Sequence, residues 1–360
     1  MVEWPDRGVV RRGQGSQGSV ASGVRRLVSI VYHDELKEVQ DDAALAALLA
    51  GPAAAPFDRL EWWRALAEEC DLLPLIAVMR DGRERGVMAL HRQQRSIHAL
   101  GNWYSFRVRP LFTAGAEPAR MLAALGESLA GRAPHLVLAP LPDENGEASA
   151  LAAALRRSGW MVFMSQSDVN HVLPVAGRSF AEYMAERPGP LRTTLKRKGG
   201  KVSVSIESHF DPASWAAYEA VYAQSWKPNE GSPAFLRRFA QAEGAAGRLR
   251  LGLARTADGQ PVAAQLWTVE SGTAFIHKLA HTEASKPVSP GTTLTAALFE
   301  QVIDRDRVSL VDFGTGDDPY KRDWMETVRP RYRIEAFRAF HPGNWPAITR
   351  NALRVLLRRG

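Results

Sequence analysis

The sequence has a single cysteine and no hydrophobic run of the length that crosses a membrane. Cys70 alone cannot form an internal disulfide or a cysteine-based zinc site, and we interpret it as a small buried residue on a helix at residues 61–70. A spanning helix would need about 20 consecutive apolar residues, and the N-terminus has no apolar core of the signal-peptide kind. We therefore expect a cytoplasmic protein in a reducing compartment.

The signature motifs of several enzyme classes are also missing. Histidines do not cluster at zinc-ligand spacing, and there is neither a Walker-type phosphate loop nor a G-x-S-x-G nucleophile elbow. We therefore expect no metal cofactor and no covalent serine intermediate. If the protein is an enzyme, the remaining mechanism is the direct attack of an acceptor on an activated donor.

Positive charge and apolar residues are abundant. Of 360 residues, 45% are hydrophobic, which is enough for two domains of ordinary size. The formal net charge of +7 favours a polyanionic partner, such as a nucleic acid, an anionic membrane surface or a phosphate-bearing substrate. Charge alone does not choose among the three.

One stretch of the chain combines the features of a ligand site. Residues 273–280 are rich in β-forming residues and end at His281, and a helix with an apolar face at three- and four-residue spacing begins near Gly291. A small residue there lets a ligand approach the backbone. The unpaired first-turn N–H groups and the helix dipole favour an anion such as pyrophosphate. The residues of this helix start are Ser289, Pro290, Gly291, Thr292 and Thr293.

A second strand and a polar loop follow that helix. Residues 308–313 have the pattern of a short buried strand that contains Asp312. The turn at residues 314–319 then presents Tyr320 and Lys321. Two strands, an anion-competent helix start and a polar loop in this order predict a ligand site.

These motifs resemble the core of the GCN5-related N-acetyltransferase (GNAT) superfamily, in particular the bacterial branch of cellulose-biosynthesis-type and FemAB-like acetyltransferases. The resemblance extends over roughly residues 25–340. It is carried by Ser289-Pro290-Gly291-Thr292, by Asp312-Phe313-Gly314 and by Asp318-Pro319-Tyr320-Lys321, with support from Lys278 and from Ser225-Trp226-Lys227. It implies acyl-CoA as co-substrate and a primary amine as acceptor.

The predicted elements occur twice, and two copies of one unit explain this most simply. We predict an α/β (α+β) fold of tandem acetyltransferase-like domains, as the resemblance also implies, each a mixed, mostly antiparallel sheet flanked by helices. A degenerate copy would cover residues 25–175 and a catalytic copy residues 176–342, which would open with one helix at 179–196. Residues 1–24 should be a disordered tail and 343–360 a basic amphipathic helix.

The two copies differ at the helix start. In the first copy this helix is entered through Ala114-Gly115-Ala116-Glu117-Pro118, which places a carboxylate where a phosphate would have to bind. The same glutamate is equally well explained as an ordinary helix cap. We predict that only the second copy binds a phosphate-bearing donor.

The catalytic candidates follow from what acyl transfer requires: donor binding, a polarised carbonyl, a base for the amine and a proton for the thiolate. Exposed backbone at the end of strand 275–281 would hold the pantetheine. Strand alternation places His277 and His281 on one face and Lys278 on the other. Either histidine could be the base, although a lone strand histidine is more often structural. Asp312 could be the base, could orient it, or could cap a turn.

The loop residues complete the catalytic candidates. Tyr320 is the natural proton donor to the thiolate, and Lys321 would contact phosphate or acceptor. The alternative is that Lys321 belongs to a solvated ionic loop.

Aromatic and cationic residues upstream are candidates for the acceptor cleft. The resemblance places Trp226, Lys227 and Lys278 near the acceptor, and Trp103 and Tyr104 could line a cleft between the copies. Core packing is an equal alternative for both tryptophans.

Two basic segments bear on the partner. Five cations lie within residues 192–201, and residues 345–359 combine arginines with an apolar stripe of Trp345, Ile348, Ala352, Val355 and Leu356. A basic amphipathic helix often lies on an anionic bilayer, although docking onto its own domain is as common for a terminal helix.

Together these features predict an acyl-CoA-dependent N-acyltransferase that is peripheral on the inner membrane. Its acceptor would be an envelope lipid amine, such as a long-chain base or a ceramide-type lipid, or a sugar-linked amine. A FemAB-type peptidyltransferase that uses aminoacyl-tRNA is the enzymatic alternative. A basic nucleic-acid-binding protein without catalysis is the other alternative, for which no binding motif is present.

Overall fold

The structure, a computed structural model, describes residues 27–357. The predicted tail at residues 1–24 therefore lies outside the described residues. Within this range one 13-stranded sheet runs through the molecule. None of the described helices is long and apolar enough to span a bilayer.

The strands are β1 Ser29–His33, β2 Leu73–Asp81, β3 Glu84–Gln93, β4 Ser96–Ala99, β5 Leu111–Phe112, β6 His135–Leu141, β7 Met161–Pro174, β8 Ser203–Glu207, β9 Leu249–Arg255, β10 Pro261–Glu270, β11 Thr273–His281, β12 Leu310–Thr315 and β13 Thr327–Phe337. The α-helices are α1 Leu36–Gln40, α2 Ala43–Leu49, α3 Leu60–Glu69, α4 Pro118–Ala130, α5 Glu147–Arg157, α6 Phe180–Ala185, α7 Gly189–Lys198, α8 Pro212–Ala223, α9 Pro233–Ala245, α10 Pro290–Glu300 and α11 Trp345–Leu357.

The sheet contains the same arrangement twice. In the first half, the antiparallel meander β2-β3-β4 is followed by α4 and by β6, which pairs with β4 in parallel. In the second half, the meander β9-β10-β11 is followed by α10 and by β12, which pairs with β11 in parallel. The predicted mixed, mostly antiparallel sheet flanked by helices is confirmed.

The last strand of each half is exchanged with the other half. β7, which ends the first half, pairs with β12, whereas β13, which ends the second half, pairs with β6. β7 and β13 also pair with each other along the whole of β13. The spatial order is β1-β2-β3-β4-β6-β13-β7-β12-β11-β10-β9-β8. The exchange makes the two sheets continuous.

Alternating side chains divide the core between the two sheet faces. On β10, Ala264 and Leu266 face a cluster shared by both halves, whereas Ala263 and Trp267 face a separate cluster under α10. In the shared cluster, helices of the two halves meet directly. The Trp62 ring of α3 packs edge-on at 4.9 Å from Phe235 of α9.

Two local predictions were wrong. The helix expected at residues 179–196 is two helices, α6 and α7, because Pro188 lacks a backbone N–H and restricts the residue before it. Cys70 is partly exposed at the end of α3 rather than buried on it, and Asn102 Nδ2 lies 3.5 Å from its Sγ.

Candidate active site

A groove opens where the parallel strands of the second half diverge. β11 and β12 pair only over residues 273–275 and 310–312. Beyond these residues β11 continues to His281 and β12 to Thr315 without pairing to each other. The facing edges of both strands therefore present free backbone polar groups toward the groove. This is the exposed strand end that the sequence predicted.

A β-bulge lies in β11 at the edge of this groove. Lys278 pairs with Leu266 and Ile276 with Trp267, so His277 is an extra residue without a partner on β10. The bulge shifts the alternation by one position. His277 and Lys278 therefore share the face of the shared cluster, and His281 points to the α10 side. The predicted face assignment was wrong because strict alternation does not hold across a bulge.

His277 sits in an aromatic enclosure. The nearest ring is that of Phe239, with centroids 4.8 Å apart, and Nε2 lies 2.8 Å from Thr268 Oγ1. Four more rings lie within 6.4 Å, those of Phe57, Trp62, Phe106 and Phe275. Burial lowers the pKa of His277 to about 3. A ring that stays neutral and weakly basic in this way fits a packing role better than that of a general base.

His281 has the geometry of a base. Its Nδ1 lies 3.1 Å from the carbonyl oxygen of Thr282, and a carbonyl can only accept, so the neutral ring carries its proton on Nδ1. The lone pair of Nε2 then remains available. The ring lies against the half-exposed indole of Trp226, with centroids 4.4 Å apart. This places Trp226 at the groove rather than in the core.

The start of α10 lies directly beside His281. A Cβ atom on Gly291 would stand 3.3 Å from His281 Cδ2, so the missing side chain lets the helix start pack against the ring. Ser289 is the N-cap, in the left-handed region with φ 53°, and its side chain does not cap the helix. Thr293 N–H already bonds back to Ser289 O, which leaves the N–H groups of Gly291 and Thr292 without a helical partner. Pro290, the first helical residue, has no N–H to satisfy.

A lysine of the basic segment reaches this helix start. Lys198, in the last turn of α7, donates from Nζ to Ser289 Oγ at 3.1 Å. A cationic side chain, two free N–H groups and the positive end of the α10 dipole thus converge on one point. The sequence singled out the basic segment but did not connect it to Ser289, because the contact depends on how α7 packs against α10.

The face opposite α10 carries a paired cation. Lys278 Nζ lies 2.8 Å from Glu230 Oε2 and 3.3 Å from Tyr222 Oη. The hydroxyl of Tyr104, which belongs to the first half, donates to Glu230 at 2.5 Å. Lys278 and Tyr104 therefore come together as proposed acceptor-side residues, with Glu230 between them. Trp103 is largely exposed and covers Gly231 rather than packing in the core.

A cavity of about 270 Å³ lies between α8 and α9 next to this cluster. Tyr218 lines it, is 2% exposed, and its hydroxyl has no hydrogen-bond partner within the described residues. Lys227 also lines it, and burial together with nearby Lys278 lowers the pKa of Lys227 to about 8. The further lining residues are Trp215, Glu219, Tyr222, Ala223, Pro228, Asn229, Glu230, Pro233 and Leu236.

Sequence reasoning missed Tyr218 and Tyr222. A signal was present, because Trp215, Tyr218 and Tyr222 recur at helical spacing on α8. Such a stripe is usually interpreted as core, and only the structure shows that it borders a cavity.

Asp312 is held in a buried polar network. Its Oδ1 accepts from Asn170 Nδ2 at 2.6 Å and from Gly314 N–H at 2.8 Å. Asn170 Oδ1 in turn accepts from Arg331 at 2.7 Å. Asn170 and Arg331 lie on the exchanged strands β7 and β13. These bonds favour the turn-capping role of Asp312 over that of a base.

The turn after β12 holds Tyr320 against that strand, with its ring centroid 5.6 Å from that of Phe313. Burial, and then Asp318, raises the pKa of Tyr320, which keeps its hydroxyl protonated. Lys321 is buried and donates to the carbonyl oxygen of Thr315, so its ammonium braces the loop. Within residues 27–357, no group of three or more His, Cys, Asp or Glu side chains is arranged to hold a metal ion.

This arrangement is similar to that of a known protein family and of several solved structures. The acetyltransferase (GNAT) domain family matches residues 189–322, which include α7, β11, α10 and β12. No curated protein sequence matches the chain.

Solved structures share the fold at low sequence identity. FemX superposes with a TM-score of 0.57 at 9% identity, covering 85% of this chain and 96% of that one. The C-terminal domain of a protein named as a lysylphosphatidylglycerol synthetase, from Agrobacterium fabrum, gives 0.56 at 12%, covering 89% and 97%. A tandem GNAT protein from the clavulanic acid biosynthesis pathway gives 0.50 at 14%, covering 85% and 98%. The predicted tandem fold is confirmed, and the family match supports the predicted superfamily over residues 189–322.

Proposed function

We propose that this chain, whose residues 189–322 match the GNAT domain family, is an N-acyltransferase that moves an acyl group from acyl-CoA to a primary amine by direct attack. One observation carries the choice of donor: Lys198 Nζ bonds to Ser289, the N-cap of α10, next to the free N–H groups of Gly291 and Thr292. A pyrophosphate requires that combination of a point charge and oriented backbone donors. The extended backbone of residues 276–281 would then bind the pantetheine arm.

We assign the proton transfers to His281, at the end of β11, and to Tyr320, in the turn after β12. The amine nitrogen attacks the thioester carbon, and Nε2 of His281 accepts the proton that the amine loses. The carbon–sulfur bond breaks, and the thiolate takes a proton from the Tyr320 hydroxyl, which its raised pKa keeps available. Backbone N–H groups on the edge of β11 that is unpaired beyond residue 275 would polarise the thioester carbonyl.

The acceptor would enter through the cavity between α8 and α9. Its walls combine aromatic rings with the carboxylates of Glu219 and Glu230, which suit a cationic amine attached to an apolar body. The unpaired Tyr218 hydroxyl would bond a polar group of that acceptor. We propose an envelope lipid amine, such as a long-chain base or ceramide-type lipid, or a sugar-linked amine, with the enzyme peripheral on the inner membrane.

Aminoacyl transfer from aminoacyl-tRNA is the second candidate function. FemX and the domain named for lysylphosphatidylglycerol synthesis are among the folds that this chain matches. The outer face of α7 also presents Arg192, Lys196 and Arg197 to solvent. Exposed cations on one helix suit the backbone of a nucleic acid.

Titration calorimetry with CoA and with aminoacyl-tRNA separates the two donors. We expect wild-type protein to bind CoA and the Lys198→Ala variant to bind it about tenfold more weakly, since a charge-assisted contact is lost. Lys196→Ala, which removes an exposed lysine of the same helix, is the matched control and should leave the affinity for CoA unchanged. Binding of aminoacyl-tRNA without binding of CoA would overturn the acyl-CoA assignment in favour of the second candidate.

A further inference from the structure

The terminal helix α11 presents an apolar stripe that nothing in the described part of the chain covers. Trp345, Leu353 and Leu357 are 62%, 53% and 82% exposed, and Phe340, just before the helix, is 93% exposed. Positions 345, 353 and 357 are separated by multiples of four residues and therefore lie on one face.

This stripe differs from the predicted one. Ile348 and Ala352, expected to lie beside Trp345 on an exposed face, are partly buried against the protein. The side chains of Val355 and Leu356 lie outside those described. The helix therefore has an inner and an outer apolar edge, and only the outer edge is free.

The orientation of α11 is fixed by polar contacts on its inner side. The buried Asn351 donates to Glu335 Oε2 at 2.9 Å, and Asn344 donates to Pro134 O at 2.8 Å. Trp345 Nε1 donates to Ala339 O at 2.9 Å, which holds its indole near Phe340. These bonds hold the outer stripe toward solvent.

Arginines surround the stripe. Arg350 and Arg354 are exposed on the helix flank, and Arg132 and Arg338 line a groove with Phe340. Arg95 lies 3.1 Å from His341, in the same groove. None of these five arginines forms an ion pair with a carboxylate of residues 27–357. Arg338 donates to the carbonyl oxygens of Ser158 and Gly159 and Arg132 lies over the Tyr32 ring, so their partners leave the positive charge in place beside the exposed apolar residues.

We propose that this face docks onto an anionic lipid bilayer. Phe340, Trp345, Leu353 and Leu357 would enter the boundary between headgroups and acyl chains, and the arginines would contact lipid phosphates. A nucleic acid would use the charges but leave the four apolar side chains exposed. The inference extends the lipid-acceptor form of the proposed function. The face nevertheless shares no residue with the candidate active site.

Cosedimentation of the full chain with vesicles tests the proposal. The vesicles are of phosphatidylcholine with or without phosphatidylglycerol, at low and high salt. We expect binding to the anionic vesicles that salt reduces only in part. Replacing Phe340, Leu353 and Leu357 together by Ser should weaken it at least tenfold. Replacing Arg350 and Arg354 by Gln should weaken it severalfold at low salt and little at high salt.

Matched variants at other surfaces control for exposure and charge. Leu73→Ser removes an apolar side chain that is also exposed, and Arg156→Gln with Arg157→Gln removes two exposed arginines of α5. Neither control should change vesicle binding, and all variants should bind CoA as the wild type does. Equal binding by the triple-serine variant, or no binding to anionic vesicles at low salt, overturns the proposal.

Two further outcomes distinguish membrane docking from nucleic-acid binding and from the assignment of the acyl donor. Binding to RNA that high salt abolishes and the triple-serine substitution leaves intact, with no vesicle binding, would identify the partner as a nucleic acid. Normal vesicle binding by a chain that does not bind CoA would leave the docking face in place and contradict only the donor assignment.

Discussion

The helices α4 and α10 occupy corresponding places in the two halves but begin with opposite charge. Both follow a three-strand meander and have Pro at the first position. The N-cap of α4 is Glu117, and a Cβ on nearby Gly115 would stand 2.7 Å from a carboxylate oxygen of Glu84. The N-cap of α10 is Ser289, with Lys198 bonded to it. The same helix start therefore repels an anion in the first half and attracts one in the second.

The strands beside these helices differ as well. β4 pairs with β3 in regular register, whereas β11 is bulged at His277. A full helix, α5, follows β6, but only a 3₁₀ turn at Pro319–Asp323 follows β12, and Tyr320 of this turn packs against Phe313 of β12. The first half contributes Tyr104 and the aromatic ring of Phe106, which would clash with a Cβ on Gly314 at 2.7 Å. Residues of the first half therefore pack against the candidate site of the second half.

The largest effect is expected from reversing the charge at the start of α10. Gly291→Glu places a carboxylate beside the anion site and a side chain against His281, so CoA affinity should fall at least a hundredfold. Glu117→Gln, at the corresponding helix of the first half, should leave CoA affinity unchanged. Calorimetry on folded variants measures both. A folded Gly291→Glu protein that binds CoA as tightly as wild type would contradict the phosphate assignment.

The next largest effect concerns the histidines at the ends of corresponding strands. His281→Gln should lower kcat about a hundredfold because Nε2 of His281 is the base, with CoA affinity nearly unchanged. His98→Gln, on β4 of the first half, should leave kcat unaltered. The assay is turnover with a primary amine acceptor under conditions in which chemistry is rate-limiting. Equal losses in the two variants would remove the functional distinction between the halves.

A smaller loss of turnover is expected at the loop that replaces a helix. Tyr320→Phe removes the proton donor to the thiolate, and we expect kcat to fall about tenfold, since the thiolate can also take a proton from water. CoA affinity should remain as in the wild type. Unaltered turnover with rate-limiting chemistry would exclude the donor role of Tyr320.

The sequence predicted the elements of the donor site better than those of the acceptor cavity. The strand at 273–280 is Thr273–His281, and the helix expected to begin near Gly291 begins at Pro290. These features are local, because each depends on residues within a few positions. β8, α9 and β13 were not predicted, although α9 forms one wall of the acceptor cavity.

The remaining gaps come from long-range pairing. The bulge at His277 depends on the register with β10, and the exchange of β7 and β13 depends on partners more than a hundred residues apart. The partners of Lys278 and Lys198 likewise come from distant segments. Residue types alone do not determine which distant strands and side chains become partners.

The smallest effect should appear in the pH dependence of stability, where Lys227 of the second half and His98 of the first half titrate in different ranges. Burial and neighbouring Lys278 lower the pKa of Lys227 to about 8, and burial lowers that of His98 to about 4. In both cases the unfolded state binds protons more readily, so stability rises with pH between the folded and unfolded pKa values. For His98 this window is about 4 to 6.5, and for Lys227 it is about 8 to 10.5.

Variants at these two residues isolate the two pH windows. In urea unfolding, Lys227→Met should be more stable than wild type at pH 7, by an amount on the order of 1 kcal/mol that disappears as pH approaches 10.5. His98→Gln should change only the acidic limb, where the wild type loses stability below pH 6.5 and the variant does not. Lys201→Met, at an exposed lysine, is the control and should follow the wild-type curve. If Lys227→Met and wild type kept a constant difference from pH 7 to 10.5, Lys227 would be an ordinary surface cation. The acceptor cavity would then contain no lysine whose charged form is destabilised by burial, and this difference from the first half would be lost.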